Sequence, residues 1–513
     1  MKKSNARIQM MIRNLVLSLC FALFLAVSSC RRNPSPKKPN IIIIYTDDAG
    51  YGDIGANGAK GVETPNIDLL AKNGVNFSDA HCSAATSTPS RFSLLTGSYA
   101  FRRNAAILPG DAPLLIDTKK GTLPKMLQKA GYETAVVGKW HLGLGEGDID
   151  WNGEIVPGAR EVGFDYSFII PATPDRVPCV FVENDRVANL DPGDPIEVSY
   201  QHDLGGYPLG TEHPEMLKMK GDLQHSGSII NGESRIGYMK GGHSALWVDE
   251  DFPIVMVQKV KTFIQENKSH PFFLYFAIPD VHVPRMPNGV FVGESTMGRR
   301  GDDIAEMDWC TGQVIKELED LGLSENTLII FSSDNGPILD DGYDDQAEEL
   351  LGDHKPWGPY RGSKYSAYEA GTRMPTIVYW PGHVKHGSSS AMLSQVDLYA
   401  SLARLVGQKV KRGDAPDSED HLDAWLGKTQ KGRDVMLEES FTFGLRMDDW
   451  KYIEPVSKAT PGWLKNKKIE SGLTKKVQLY DLKNDIGEQK DIADENPRIV
   501  KKMQGKLQKI LNE

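Results

Sequence analysis

Four consecutive isoleucines, Ile41 to Ile44, run through Tyr45-Thr46 into two adjacent carboxylates, Asp47 and Asp48. A run of β-branched residues without polar alternation has no solvent face, so it reads as a strand buried on both sides within a parallel sheet. Ala49-Gly50-Tyr51-Gly52-Asp53 then turns the chain. Asp47 and Asp48 therefore fall at the strand's carboxyl end, where open α/β sheets bind their ligands. Thr327 to Ser333 repeats the design and delivers Asp334 and Asn335 into a Gly-Pro turn. Adjacent acids at one turn are often helix caps or solvated charges. Three carboxylates and an amide converging on one sheet edge instead form a hard oxygen cage, suited to Ca²⁺ or Mg²⁺ rather than zinc.

Other segments carry further polar groups to strand or helix ends. Tyr132 to Val137 leads into Gly138-Lys139-Trp140-His141-Leu142-Gly143, although a lone Lys-x-His is most often a surface lysine beside a packed histidine. Phe272 to Pro279 is another buried strand, and it leads to Asp280-Val281-His282-Val283-Pro284-Arg285-Met286-Pro287, where prolines stiffen the loop around His282. Between the two acidic strands, Ser87-Thr88-Pro89-Ser90-Arg91 precedes Leu94-Leu95-Thr96-Gly97. A serine at the mouth of a helix sits among free N–H groups and the positive end of the helix dipole, which favour an anion. An ordinary serine-capped helix start is the plain alternative.

Together these blocks resemble the type I sulfatases, whose signature is Cys or Ser-x-Pro-Ser-Arg-x-x-x-Leu-Thr-Gly. The resemblance covers nearly the whole mature chain. It implies an α/β fold like that of alkaline phosphatase: a large mixed central sheet sandwiched by helices, with a smaller C-terminal α+β subdomain of antiparallel strands and a closing helix. It places Ser87 in the serine-type branch, in which a radical-SAM maturating enzyme oxidises that residue to formylglycine. Cys82 lies five residues too early to be the modified position. The hydrated aldehyde suits sulfate ester cleavage because one hydroxyl attacks sulfur and the other later expels sulfate. The resemblance also implies a Ca²⁺ held by Asp47, Asp48, Asp334, Asn335 and the modified Ser87. Lys139 would hold sulfate and His141 would contact the nucleophile. Arg361-Gly362-Ser363-Lys364 with Glu369-Ala370-Gly371-Thr372-Arg373-Met374-Pro375 resembles a further family block and gives Lys364 as the second sulfate-binding lysine. Ala370 stands there where glycine is usual. His282 corresponds to the general acid toward the leaving alcohol, and Arg91 would pair with the metal carboxylates and the nucleophile. S–O rather than C–O cleavage of a sulfated carbohydrate is implied.

Sugar recognition is harder to read. Residues 171–251 form an insertion in which Asp175 and Arg176 lie among prolines, and His225 precedes a Ser/Gly-rich run. An Asp/Arg pair suits vicinal hydroxyls, so Asp175, Arg176 and His225 are the candidate sugar contacts, although solvated loop charges are at least as common. The loop pattern resembles that of gut-bacterial sulfatases acting on galactose or N-acetylgalactosamine sulfates from host or algal glycans, in an exo-acting manner. Asp340, Asp341, Asp344 and Asp345 are read as a solvated face that could also line the rim.

The formal charge of −10 argues against a nucleic-acid partner, so an anionic substrate needs a local basic pocket. Lys2, Lys3, Arg7 and Arg13 precede an apolar run from Leu15 to Val27 that ends in Val27-Ser28-Ser29-Cys30. This is a secretion signal, too short for a comfortable membrane span. Its end resembles a lipobox, which predicts lipidation of Cys30 and a lipid-anchored protein of the periplasm or outer membrane that meets the membrane through that anchor alone. Residues 1–29 are then signal peptide, 30–38 tether, 39–429 catalytic domain and 430–513 C-terminal subdomain. Cys82, Cys179 and Cys310 show neither disulfide nor zinc spacing and read as buried thiols. Two rival functions stand beside the sulfatase. One is a phosphatase or phosphonate hydrolase of the same superfamily, and the other is a glycan-binding lipoprotein with no activity.

Overall fold

In the computed structural model, which describes residues 38–457 and 459–513, the isoleucine run is a strand buried at every position. It lies inside a ten-stranded sheet. In chain order the strands are β1 (Asn40–Thr46), β2 (Val75–Phe77), β3 (Glu133–Lys139), β4 (Tyr166–Ile170), β5 (Val182–Glu183), β6 (Arg186–Val187), β7 (Phe272–Ala277), β8 (Thr327–Ser333), β9 (Thr376–Tyr379) and β10 (Gly387–Ser389). Across the sheet they run β10-β2-β9-β8-β1-β7-β3-β4-β5-β6. The five central strands, β8 to β4, are parallel, and antiparallel pairs appear only toward the margins. Isoleucines 41, 42, 43 and 44 are each at most 1% exposed. At roughly 1.5–3 kcal/mol per fully buried aliphatic side chain, they are a large share of what holds the sheet between its helices.

Register aligns the functional ends. Thr46 pairs with Ser333, so Asp47 and Asp334 leave their strands side by side. On the other flank Tyr45 pairs with Ala277 and Ala277 with Gly138, which brings Lys139 and the loop after β7 to the same edge. Gly138 has φ 109°, and a Cβ there would lie 1.9 Å from the Ala277 carbonyl oxygen, so a side chain at this position would push β3 away from β7.

Helices cover the sheet. They include α1 (Ser87–Thr96), α2 (Phe252–Asn267) and α3 (Gly298–Asp320). A separate antiparallel sheet follows, β11 (Val435–Glu439), β12 (Phe443–Met447), β13 (Trp450–Ile453) and β14 (Gln478–Asp481), in that spatial order. The closing helix α4 (Pro497–Asn512) buries Met503 and Leu507 against Leu437, Leu445 and Leu479, as its three-and-four spacing of apolar residues requires.

The small sheet is joined to the nucleophile segment by the backbone. Glu439 N–H donates to Ser83 O at 2.9 Å, and Ala85 N–H to Glu439 O at 2.8 Å, just ahead of α1. Below this contact Glu369 is buried between Arg373 (2.7 Å), Arg446 (2.7 Å) and Lys451 (3.0 Å). Asp79, His81 and Glu369 are close enough together to hold an ion, but these cations already satisfy their carboxylates. Cys82, Cys179 and Cys310 are buried free thiols, and Cys30 lies outside the described residues.

Candidate active site

Helix α1 begins at Ser87, with Thr86 in the extended conformation as its N-cap. Its first turn points at the carboxyl edge of the sheet. Ser87 Oγ donates to Asn335 Oδ1 at 3.1 Å, lies 3.4 Å from Asp47 Oδ1 and accepts from Lys139 Nζ at 2.8 Å. Asn335 Nδ2 donates to Asp48 Oδ1 at 2.7 Å, and the Asp48 N–H to Asp334 Oδ1 at 3.3 Å. The two strand ends and the helix start therefore share one knot of oxygens. Asp48 (φ 59°) and His141 (φ 55°) both adopt the left-handed conformation, which non-glycine residues rarely occupy and which clusters at functional sites.

Three cations face the acids. Arg91 is fully buried, with Nε and Nη2 each 2.9 Å from Asp334 Oδ2 and Nη1 3.3 Å from both Lys139 O and Tyr275 Oη. Lys139 Nζ lies 2.5 Å from Asp47 Oδ2 and 3.5 Å from Asp334 Oδ2. Lys364 Nζ reaches Asp48 Oδ2 at 2.8 Å and Asp341 Oδ2 at 3.0 Å. Burial alone would raise the Asp334 carboxyl, but Arg91 and Lys139 outweigh it and hold that group well below the usual carboxylate range. Burial and then the neighbouring Asp334 push the Asp47 carboxyl well up, while burial pushes the Lys139 ammonium down. A divalent cation among these oxygens would relieve the crowding that raises Asp47, and the all-oxygen donor set of Asp47, Asp48, Asp334 and Asn335 fits a hard ion.

The histidines differ in what they offer. His141 Nε2 donates to Leu108 O at 3.0 Å, which leaves the buried Nδ1 an acceptor with no partner among the described residues. Burial, then Lys139, hold this ring well below the ordinary histidine value, so it is a neutral base. His282 Nδ1 donates to Val283 O at 2.7 Å, and its Nε2 lies 3.9 Å from Asp48 Oδ2. Burial, then Lys364, bring its pKa down to about 4. An anionic ester arriving beside Nε2 would favour the protonated form again.

Ser87, His141, His282 and Lys364 line a cavity of about 240 Å³. Asp175, Arg176, Tyr200, His225 and Trp463 line the same cavity. The three candidate sugar contacts thus fall at the same cavity. Asp175 Oδ2 lies 3.1 Å from His225 Nε2 and Asp175 Oδ1 3.0 Å from Arg176 Nη1, while Asp222 holds the other ring nitrogen of His225 at 2.8 Å.

The acidic run 340–345 is not the uniform solvated face that its composition suggests. Asp344 is exposed, but Asp345 is buried on Arg285 at 2.6 Å, and Asp341 is buried between Lys364 and Lys467 with the Tyr365 hydroxyl at 3.1 Å. Lone-charge statistics fail for Asp341 and Asp345 because each meets its cation from a distant segment. Tyr200 and Trp463 of the cavity lining, and Lys467 beside Asp341, carry no local signal in the sequence, which offers Asp341 only as one acid of a run that could line the rim. Ala370 adopts a backbone conformation open to any residue, so the missing glycine disturbs nothing nearby.

Comparison with known proteins agrees with this geometry. The family model described as Sulfatase matches residues 39–408. An N-acetylgalactosamine-6-O-sulfatase of Bacteroides thetaiotaomicron is 50% identical over 479 residues, covering 92% of this chain and 93% of that protein. Human arylsulfatase A is 31% identical over 402 residues, covering 77% and 67% respectively. A solved Bacteroides thetaiotaomicron structure, described under the metabolism of multiple glycosaminoglycans, superposes with a TM-score of 0.91 at 50% identity over 93% of this chain and all of that one. With a serine-headed helix, an oxygen cage and paired lysines at one sheet edge, and with this kinship over nearly the whole length, the chain belongs to the sulfatase family and is a sulfuric ester hydrolase.

Proposed function

We propose that the protein removes the 6-O-sulfate from a terminal N-acetylgalactosamine, or from the galactose that differs from it only at C2, in a sulfated glycan. The observation that carries this reading is the 50% identity, over 92% of the chain, to a protein named for that reaction. The cavity supports an exo-acting enzyme. Its roughly 240 Å³ falls below the ~300–1,000 Å³ of clefts that hold drug-sized ligands, so it suits a single sugar ring with its sulfate against Ser87.

In the active protein, residue 87 would be formylglycine made from serine by a radical-SAM maturase, whose hydrate supplies the second hydroxyl that an unmodified serine lacks. Ca²⁺ held by Asp47, Asp48, Asp334 and Asn335 would supply positive charge next to that residue and the sulfate oxygens. The chain's own groups do the rest. Lys139 and Lys364 bring fixed ammonium charges to the non-bridging oxygens inside a water-poor site, where they count for most. Arg91 holds Asp334 ionised and in place. His282 Nε2 is positioned to protonate the departing sugar oxygen, and the free Nδ1 of His141 to take a proton from residue 87.

The leader and the Val27-Ser28-Ser29-Cys30 sequence support a lipid-anchored protein of the periplasm or outer membrane. Among the described residues no helix is long and apolar enough to cross a membrane. Sulfate release from the 6-sulfates of N-acetylgalactosamine, galactose and N-acetylglucosamine, and from N-acetylgalactosamine 4-sulfate, tests the substrate. Preference for the first two is expected, and equal or faster release from either of the others would overturn it.

A further inference from the structure

Trp463 lies outside residues 39–408, the part matched by the family model, yet it lines the same cavity as Ser87. It belongs to a short 3₁₀ helix, Trp463–Asn466, between β13 and β14 of the small sheet. We propose that Trp463 is a specificity-determining residue whose indole packs against the apolar C–H face of the sugar bearing the scissile sulfate. The proposal rests on the reading of this cavity as a sugar site.

The ring is half-buried, and it is held from inside the protein. Its centroid lies 5.0 Å from that of Tyr365 at 71° and 6.0 Å from that of Phe441 at 71°, two edge-to-face contacts that fix its tilt. Leu464 is buried in one apolar cluster with Ile338 and Tyr365. Three residues on, the largely buried Lys467 places Nζ 3.2 Å from Asp341 Oδ1 and 3.7 Å from Asp222 Oδ2. These anchors tie the segment to polar groups of the lining, since Asp341 holds Lys364 and Asp222 holds His225. A rim loop would not need such seating to stay in solution. Of the other lining groups, Asp175, Arg176 and His225 are charged or polar and suit hydroxyls, the Tyr200 and Tyr365 hydroxyls are bonded to Val177 O and Asp341, and Lys364 and Ser87 belong to the sulfate end. A pyranose also presents an apolar face, and burying it needs a broad, rigid surface of low conformational entropy, which an indole provides best. The platform would discriminate the sugar and leave sulfate binding to the lysines.

The test is calorimetric titration of the full-length calcium-loaded protein, with serine intact at 87, against N-acetylgalactosamine 6-sulfate, galactose 6-sulfate and inorganic sulfate. Trp463→Ala should weaken binding of the sulfated sugars by about tenfold or more, as loss of a buried aromatic contact does. Inorganic sulfate should bind the variant as it binds the parent, and Trp463→Phe should recover most of the sugar affinity. Unchanged sugar affinity in Trp463→Ala would overturn the proposal, as would an equal loss for sugar and inorganic sulfate, because the residue would then act through the clamp. If the parent protein binds inorganic sulfate but neither sugar, the sugar reading of the cavity fails first and takes this inference with it.

Discussion

Replacing Arg91 with methionine keeps much of its volume and removes its charge, and the structure sets the cost. The guanidinium is fully buried with two nitrogens 2.9 Å from Asp334 Oδ2, so the variant leaves a buried carboxylate with Lys139 Nζ at 3.5 Å as its paired cation and the Asp48 N–H at 3.3 Å as a neutral donor. Breaking one side of a buried pair costs about 3–5 kcal/mol, and the remaining lysine should keep the loss near the lower figure. Asp334 is held below the usual carboxylate range, so its contribution is present above the unfolded value and is lost as pH falls through the folded one. In Arg91→Met the same carboxyl moves up and takes a proton early. The difference between the two proteins should therefore be largest at neutral pH and should shrink below about pH 4. Urea unfolding in EDTA, which removes compensation by a metal, measures both quantities. A difference under about 1 kcal/mol at neutral pH, or one that does not narrow in acid, would refute the reasoning.

Three further outcomes are expected. Lys139→Ala and Lys364→Ala should each lower kcat/KM by on the order of 100-fold while the fold survives, since each removes a fixed charge from the sulfate end of the cavity; wild-type turnover in either would take that lysine out of the site. His282→Ala should lose activity on a sulfated sugar yet keep much of it on nitrophenyl sulfate, whose leaving group scarcely needs a proton; equal losses on both would assign His282 to binding instead. EDTA should abolish activity and Ca²⁺ restore it, whereas recovery with Zn²⁺ alone would favour the phosphatase chemistry over an oxygen cage.

The parts of the site legible in sequence are those that local pattern controls. Ile41 to Ile44 and Leu328 to Phe331 announce buried parallel strands because no solvent face exists in them, and the residues after each strand must then lie at one edge. Gly138 is different, since the approach of Ala277 that only glycine tolerates comes from strand pairing and not from local pattern. Of the cavity lining, Asp175, Arg176 and His225 were legible in the insertion, whereas Trp463 and the pairing that buries Asp341 were not. Asp341 reads as one acid in a solvated run until Lys364 and Lys467 arrive from 23 and 126 positions away, and Trp463 reads as loop until β12 and β13 bring it round to Tyr365. Burial of those charges is decided by tertiary pairing, which neither spacing nor composition records.

The central claim concerns residue 87, and peptide mass spectrometry of that residue, paired with turnover of the same preparation, tests it most directly. Protein made beside a serine-type maturase should carry residue 87 lighter by two hydrogens and be active. Protein made without the maturase should fold, bind Ca²⁺, retain intact serine and be nearly as inactive as Ser87→Ala. Full turnover by protein whose residue 87 is unmodified serine would contradict the aldehyde-based chemistry and assign the attack to the serine hydroxyl itself.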